Sequence, residues 1–359
     1  MDSKKKLFLI LFAVFLLIVV GLCLFSFVGY KENFGVRYET YEPAMFRVTD
    51  FTGLQCDEMQ FVSDKGQKLQ GYLYHSGSNQ RGLVLLAHGY GGGGHNTYMD
   101  AANYFATHGY YCFCYDATGT DKSEGEAMGG LPQGVIDLHK ALAFVKTLPQ
   151  LEGLPIVLFG HSWGGFCVGS VLNFQDDIKA VISVSGFNRA TDLVEYQGKR
   201  IAGAGIYAML PVLKLYESFA YGKYAKAIAL DGFTKSDCPV MILHSRDEEV
   251  VPMSYGYDEY YAKFKDNQRF TFVAFQDKGH NDILIDKNNT YNAELNDLIY
   301  KWRDGLDFDY TKPENKERYA KLKADFIHQH LDRAKWATRL DEKLFDEFLE
   351  FYDRAIGEK

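Results

Sequence analysis

Five residues, Pro155-Ile156-Val157-Leu158-Phe159, run without a charge into Gly160-His161-Ser162-Trp163-Gly164-Gly165. An apolar run of this length bounded by glycine reads as a buried strand, and the residues after Ser162 read as the start of a helix. A strand that turns into a helix within one residue makes a strained corner. Glycines permit it, and the serine hydroxyl at its apex is left exposed. Gly-x-Ser-x-Gly alone is a weak signal; its place between strand and helix gives it content.

The same rhythm extends to both sides. Residues 55–62 and 68–74 read as an antiparallel pair. Strand-like runs follow at 82–88, 110–115, 155–159, 179–184, 239–244 and 270–275, alternating with helical stretches at 97–108, 131–148, 163–173, 254–264 and 289–304. Strand-then-helix repetition predicts an α/β fold, a mainly parallel sheet with helices on both faces. The rhythm breaks at about 187–236, a stretch carrying Tyr207, Met209, Leu210, Leu213, Leu215 and Phe219. It emerges where ligands bind in open α/β sheets, so a helical cap is expected there. Residues 311–359 are charged and helical, with an apolar stripe that includes Leu344, Phe345, Phe348, Leu349 and Tyr352. They read as a C-terminal helical extension docked on the body.

No charge interrupts the chain from Leu7 to Tyr30, directly after Lys4-Lys5-Lys6. A helix of about 23 residues spans roughly 34 Å, enough to cross a bilayer core. Cleaved signal peptides have a shorter apolar stretch and a small-x-small site. Neither Val20-Gly21-Leu22-Cys23 nor Phe25-Ser26-Phe27-Val28-Gly29 offers one, which favours an uncleaved transmembrane anchor over secretion after cleavage. Basic residues stay on the cytoplasmic side, so the N-terminus is expected in the cytoplasm and the catalytic body outside. The expected organisation is a stub and anchor at 1–30, a linker at 31–53, the catalytic domain at 54–310 and the extension at 311–359.

A net charge of −8, and −10 once Asp2 and the three lysines are set aside, argues against a nucleic-acid partner. Six cysteines in a chain this long make no disulfide framework. Cys112 and Cys114 alternate along a strand without a nearby Cys or His pair, so no metal site is expected.

A serine hydroxyl needs a base, itself oriented by a carboxylate, with the acid before the histidine in the chain. His280, in Lys278-Gly279-His280-Asn281-Asp282, follows the strand at 270–275. Asp247 follows the strand at 239–244 and precedes Val250-Val251-Pro252. Both stand at the sheet edge expected for Ser162. Glu248 and Glu249 compete for the acid role, but Asp247 stands at the expected place before the turn. Asp277 and Asp282 read as surface groups, and His161 as a packed side chain. An oxyanion needs backbone donors. The expected pair is the N–H of Trp163 and the N–H of Tyr90, in His88-Gly89-Tyr90-Gly91-Gly92-Gly93-Gly94. No Gly-Lys-Ser/Thr follows those glycines, so they are not a phosphate loop.

In His88-Gly89, the elbow at 160–165, Asp247 before Val251-Pro252, and Gly279-His280, the chain resembles serine-aminopeptidase-like and monoglyceride-lipase-like α/β-hydrolases, over about 54–304. Segment 116–125 also matches, although Thr118 and Asp121 stand where the family usually has the arginine and second glycine of Arg-Gly-x-Gly-x-Ser. The resemblance implies the α/β-hydrolase fold and ester or amide hydrolysis without a cofactor. The expected activity is a serine hydrolase acting on acyl esters such as monoacylglycerols or lysolipids. Ser162 would attack, His280 would act as base and Asp247 would orient it. A membrane-anchored serine aminopeptidase is the alternative enzyme, and a non-catalytic scaffold the alternative outside enzymology.

Overall fold

A computed structural model describes residues 3–77 and 79–357. Its strands are β1 Gln55–Val62, β2 Lys68–His75, β3 Leu83–Ala87, β4 Tyr111–Tyr115, β5 Ile156–His161, β6 Ile178–Val184, β7 Val240–Ser245 and β8 Phe270–Phe275. They form one sheet in the order β1-β2-β4-β3-β5-β6-β7-β8. β2 pairs antiparallel with β1 and β4, and the other pairings are parallel. The central strands are buried along their whole length, as expected of parallel strands covered on both faces. Register places the chemistry. Ala87 lies opposite Gly160, so the loops after β3 and β5 emerge side by side. Ser245 lies opposite Phe275, which brings the loops after β7 and β8 together.

The helices are α1 Ser3–Phe34, α2 Met99–Thr107, α3 Pro132–Val145, α4 Trp163–Val171, α5 Ala190–Ala202, α6 Ile206–Tyr221, α7 Ala229–Lys235, α8 Tyr257–Phe264, α9 Tyr291–Asp304, α10 Lys316–His330, α11 Arg333–Ala337 and α12 Glu342–Ile356. α3, α4, α7 and α8 cover one face of the sheet, and α2 and α12 the other. α9 leaves the sheet and packs on α10 through Leu295, Ile299 and Ile327. The C-terminal segment is therefore part of the core. Phe345, Phe348 and Tyr352 are buried on one side of α12, and the Tyr352 hydroxyl donates to the Leu158 carbonyl in β5 (2.8 Å). The Asp341 side chain caps the first turn of α12, and Gly357 in a left-handed conformation (φ 82°) ends the helix. Ion pairs Arg81–Asp353 (2.7 Å) and Arg339–Asp100 (2.6 Å) tie the segment to the body.

Residues 31–53 do not form a free linker. α1 continues to Phe34, Tyr38 bridges to Thr120, and Phe46 and Phe51 are buried, with Phe46 stacked on Trp336 of α11. In the stretch read as a cap, only α5 and α6 stand away from the sheet. α7 packs on α4 so closely that a Cβ at Gly232 would lie 2.1 Å from the Gly169 carbonyl oxygen. α6 packs on the end of α1. Tyr30, Ile206, Met209, Leu210 and Leu213 form their own apolar cluster, with Leu22 and Phe34 against it.

At this junction the Tyr30 hydroxyl donates to the buried Glu217 carboxyl (3.2 Å). Burial pushes the Glu217 pKa from 4.5 up to about 7, with the Tyr30 hydrogen bond offsetting part of the rise. The folded chain then keeps a proton that the unfolded chain has lost, so stability falls as pH climbs from 4.5 to about 7. Glu217→Gln removes the buried charge. Its melting temperature in detergent micelles, relative to the native chain, is expected to rise between about pH 5 and about pH 8. An equal difference at both pH values would exclude a buried ionised Glu217. On the other side of the sheet, Phe345→Ala opens a cavity in the core and should cost about 3–5 kcal/mol in denaturant unfolding. A cost near zero would mean that α12 is peripheral.

Candidate active site

Ser162 sits at φ 57°, ψ −118°, between the end of β5 and the first residue of α4. For a non-glycine residue this backbone costs about 1–3 kcal/mol and persists only where the surroundings enforce it. They do so through close approach. A Cβ at Gly160 would lie 2.2 Å from the Gly164 carbonyl oxygen, and one at Gly164 would lie 2.0 Å from the Ala87 carbonyl oxygen. The Ser162 N–H donates to Val184 of β6 (2.8 Å), which clamps the corner from the other side.

Ser162 Oγ lies 2.9 Å from His280 Nε2, and His280 Nδ1 lies 2.6 Å from Glu248 Oε2. A carboxylate only accepts, so Nδ1 carries the proton and Nε2 offers its lone pair to the serine hydroxyl. The other Glu248 oxygen accepts from the N–H groups of Val250 (2.7 Å) and Val251 (3.0 Å). Burial by itself would raise the Glu248 pKa. The hydrogen bond and charge of His280 and the two backbone donors outweigh it, and the carboxyl is held below its ordinary value.

The acid expected at Asp247 is therefore replaced, in this geometry, by its neighbour. Asp247 is exposed, and its Oδ1 accepts from the Ser245 hydroxyl (2.5 Å) and the Gly279 N–H (2.9 Å). β7 ends at Ser245, and the turn after it directs Arg246 and Asp247 outward and Glu248 inward. Asp247 braces the loop that carries His280, one residue from it. Three consecutive carboxylates gave the sequence no means of telling which would face inward.

Tyr90 and Trp163 both line the cavity beside Ser162, with their rings edge to face at 5.4 Å. His88 orients the Tyr90 amide. Its Nδ1–H donates to the Gly89 carbonyl (2.7 Å) while Nε2 accepts from the Ala117 N–H (3.0 Å). The C=O and N–H of a trans peptide point opposite ways, so the Tyr90 N–H points away from His88. The Asp121 carboxylate, in a left-handed conformation (φ 36°), accepts from the N–H groups of Gly94 and Thr40 and holds the far end of this loop.

His161 is more than a packing group. Its Nε2 lies 2.8 Å from the His280 carbonyl oxygen, which only accepts, so Nε2 carries the proton. Nδ1 then accepts from the Tyr98 hydroxyl (2.7 Å), whose oxygen accepts from the Gly89 N–H (3.2 Å). One hydrogen-bonded chain thus joins the glycine loop, the elbow and the backbone of His280. Burial, and then the neighbouring His280, push the His161 pKa down to about 3, so it stays neutral in this role.

The cavity above Ser162 is about 650 Å³. Leu131, Leu193, Val194, Val250, Phe34 and Tyr38 supply its apolar walls, and among the described residues no Asp or Glu lines it. No cluster of three or more His, Cys, Asp or Glu suited to a metal occurs among the described residues.

The chain matches the family described as Serine aminopeptidase, S33, over residues 78–219. Among solved structures, the Pyrococcus furiosus esterase Pf2001 superposes with a TM-score of 0.53 at 15% identity, covering 71% of this chain and 94% of its own. The chain has the α/β-hydrolase fold. The chain also superposes on the Pyrococcus horikoshii acylaminoacyl peptidase with a TM-score of 0.51 at 16% identity, covering 86% of this chain and 43% of the other. Esterase and peptidase share the fold, which therefore does not choose between them. Two curated relatives are each 27% identical. The quorum-quenching protein AidA of Acinetobacter baumannii aligns over 138 residues, 36% of this chain and 43% of its own. The α/β hydrolase domain-containing protein WAV2 of Arabidopsis thaliana aligns over 199 residues, 52% and 57%. The chain spans about half the length of these relatives.

If Glu248 orients the histidine, Glu248→Gln should lower kcat on p-nitrophenyl acetate by about 10²–10⁴-fold, and Asp247→Asn by less than about tenfold. The reverse ranking would return the acid role to Asp247.

Proposed function

We propose that this chain is a serine hydrolase of carboxylic esters with an apolar acyl group, held at a membrane by α1. The observation that carries the reading is the Ser162–His280–Glu248 relay opening into an apolar cavity. Ser162 Oγ attacks the acyl carbon as its proton passes to His280 Nε2. The N–H groups of Tyr90 and Trp163 hold the oxyanion, and the leaving alkoxide takes the proton from His280. Water then attacks the acyl carbon as its proton passes to His280, and the bond to Ser162 Oγ breaks as His280 returns the proton to Oγ, releasing the acid and the free enzyme. Long-chain esters such as monoacylglycerols or lysolipids suit the cavity.

An aminopeptidase would need a carboxylate in the cavity to receive the substrate ammonium. The lack of Asp or Glu among its described lining residues favours a neutral substrate. For membrane attachment, the support is a 32-residue helix whose apolar side chains from Leu7 to Val20, Leu17 among them at 71% exposure, have no cover in the fold. Its retention is supported by Tyr30 and Phe34, which pack on the body. The lysines at its start favour a cytoplasmic N-terminus and an outward catalytic body.

The full chain in detergent should be labelled by a fluorophosphonate probe and should turn over p-nitrophenyl esters faster than aminoacyl p-nitroanilides. Ser162→Ala should abolish labelling and lower turnover by about 10⁴-fold or more. Labelling that survives Ser162→Ala, or faster cleavage of the anilides, would refute the reading.

A further inference from the structure

The outer side of α6 carries an apolar stripe. Tyr207, Leu215 and Phe219 recur at intervals of four or eight residues and are 51%, 59% and 83% exposed, while Ile206, Leu210 and Leu213 on the opposite side are buried. Ile201, at the end of α5 and on the rim of the Ser162 cavity, is 72% exposed. The surroundings are cationic. Residues 187–236 contain seven Lys or Arg against four Asp or Glu in a chain of net charge −8, and Glu217, one of the four, is buried. Exposed Lys199, Arg200, Lys214 and Lys223 flank the stripe.

The position of α6 along α1 limits what the stripe can face. Tyr216 of α6 lies between Phe27 (ring centroids 5.6 Å) and Tyr30 (5.0 Å), and Leu22 packs against the same cluster. A bilayer core takes about 20 helical residues. Counted from Leu7, the core ends near Phe27, so α6 touches α1 at or inside that boundary. A helix held there, apolar outward and ringed by cations, has the character of an interfacial helix. The cavity reaches the same end of α1, because Asn33 and Phe34 line it together with Leu193, Val194 and the exposed Ile201 of α5.

We infer that the exposed stripe of α6 is seated in the headgroup and outer acyl layer of an anionic leaflet, and that the Ser162 cavity takes its ester laterally from that leaflet. The uptake half rests on the ester-hydrolase reading; the seating half does not.

Two measurements on the full chain separate them. Phe219→Trp in vesicles of phosphatidylcholine and phosphatidylglycerol should show added fluorescence that acyl-chain bromination quenches; fluorescence indifferent to bromination overturns the seating. The double variant Leu215→Ser/Phe219→Ser should lose about tenfold in turnover of a long-chain ester dissolved in the bilayer, with turnover of soluble p-nitrophenyl acetate unchanged. Equal loss on both esters, or loss on neither, overturns lateral uptake. A native chain that cleaves neither ester refutes the hydrolase reading, and with it the uptake, while the quenching still decides the seating.

Discussion

A serine held at φ 57° is the constraint on which the rest of the site depends. The corner exists because three backbone segments meet without side chains between them. Gly160 lies against Gly164, Gly164 against Ala87, and Gly165 near Gly186. These contacts require β3, β5 and β6 to be neighbours in their observed register, and that register brings the loop after β3 alongside Ser162. The parallel pairing of β6, β7 and β8 then delivers Glu248 and His280 from the same edge. The strain at one residue is sustained by the sheet as a whole.

A second set of contacts links the apolar N-terminal helix to that corner. Tyr30 packs on Phe34 (4.6 Å), Phe34 on Tyr90 (5.9 Å) and Tyr90 on Trp163 (5.4 Å), and the Tyr90 hydroxyl donates to the Asn33 carbonyl (3.3 Å). Tyr38 adds a further edge contact to Tyr90 (5.5 Å). Tyr90 is thus gripped through its ring by the end of α1 and the segment after it. Offset and edge-to-face aromatic pairs contribute about 0.5–1.5 kcal/mol each beyond burial, and a chain of them restricts loop motion. The end of α1 therefore has a place in the geometry of the site.

The strands were legible in the sequence to within a residue or two, because buried parallel strands are short apolar runs between polar turns, as at β3 and β5. Ser162 and His280 were legible because a glycine-flanked elbow and a histidine beyond a late strand are local signals. Three features were not legible. The choice of Glu248 over Asp247 depends on the path of a turn of three consecutive residues, which no periodicity reports. α12, rather than α9, covers the sheet because of long-range contacts such as Tyr352 to Leu158, between residues 194 apart in sequence. The stretch at 31–53 looked like a linker because its anchoring groups, Arg37, Tyr38 and Thr40, bond to the loop at 119–125, which lies far away in the chain.

His161 shows how far a local reading falls short of a site's electrostatics. Its ring centroid lies 4.9 Å from that of His280. In the proposed mechanism His280 becomes an imidazolium as Ser162 attacks, and a second cation at that distance would oppose it by roughly 3 kcal/mol at an effective dielectric constant near 20. Burial prevents this by holding His161 neutral. The neutral ring still has a donor and an acceptor, which the His280 carbonyl and the Tyr98 hydroxyl occupy. The positive charge formed on His280 therefore faces a carboxylate at Nδ1 and no cation from the elbow. A phenylalanine at 161 would also avoid the repulsion, but it would leave both hydrogen bonds unmade beside His280. A lysine would make the donor bond and bring the repulsion with it.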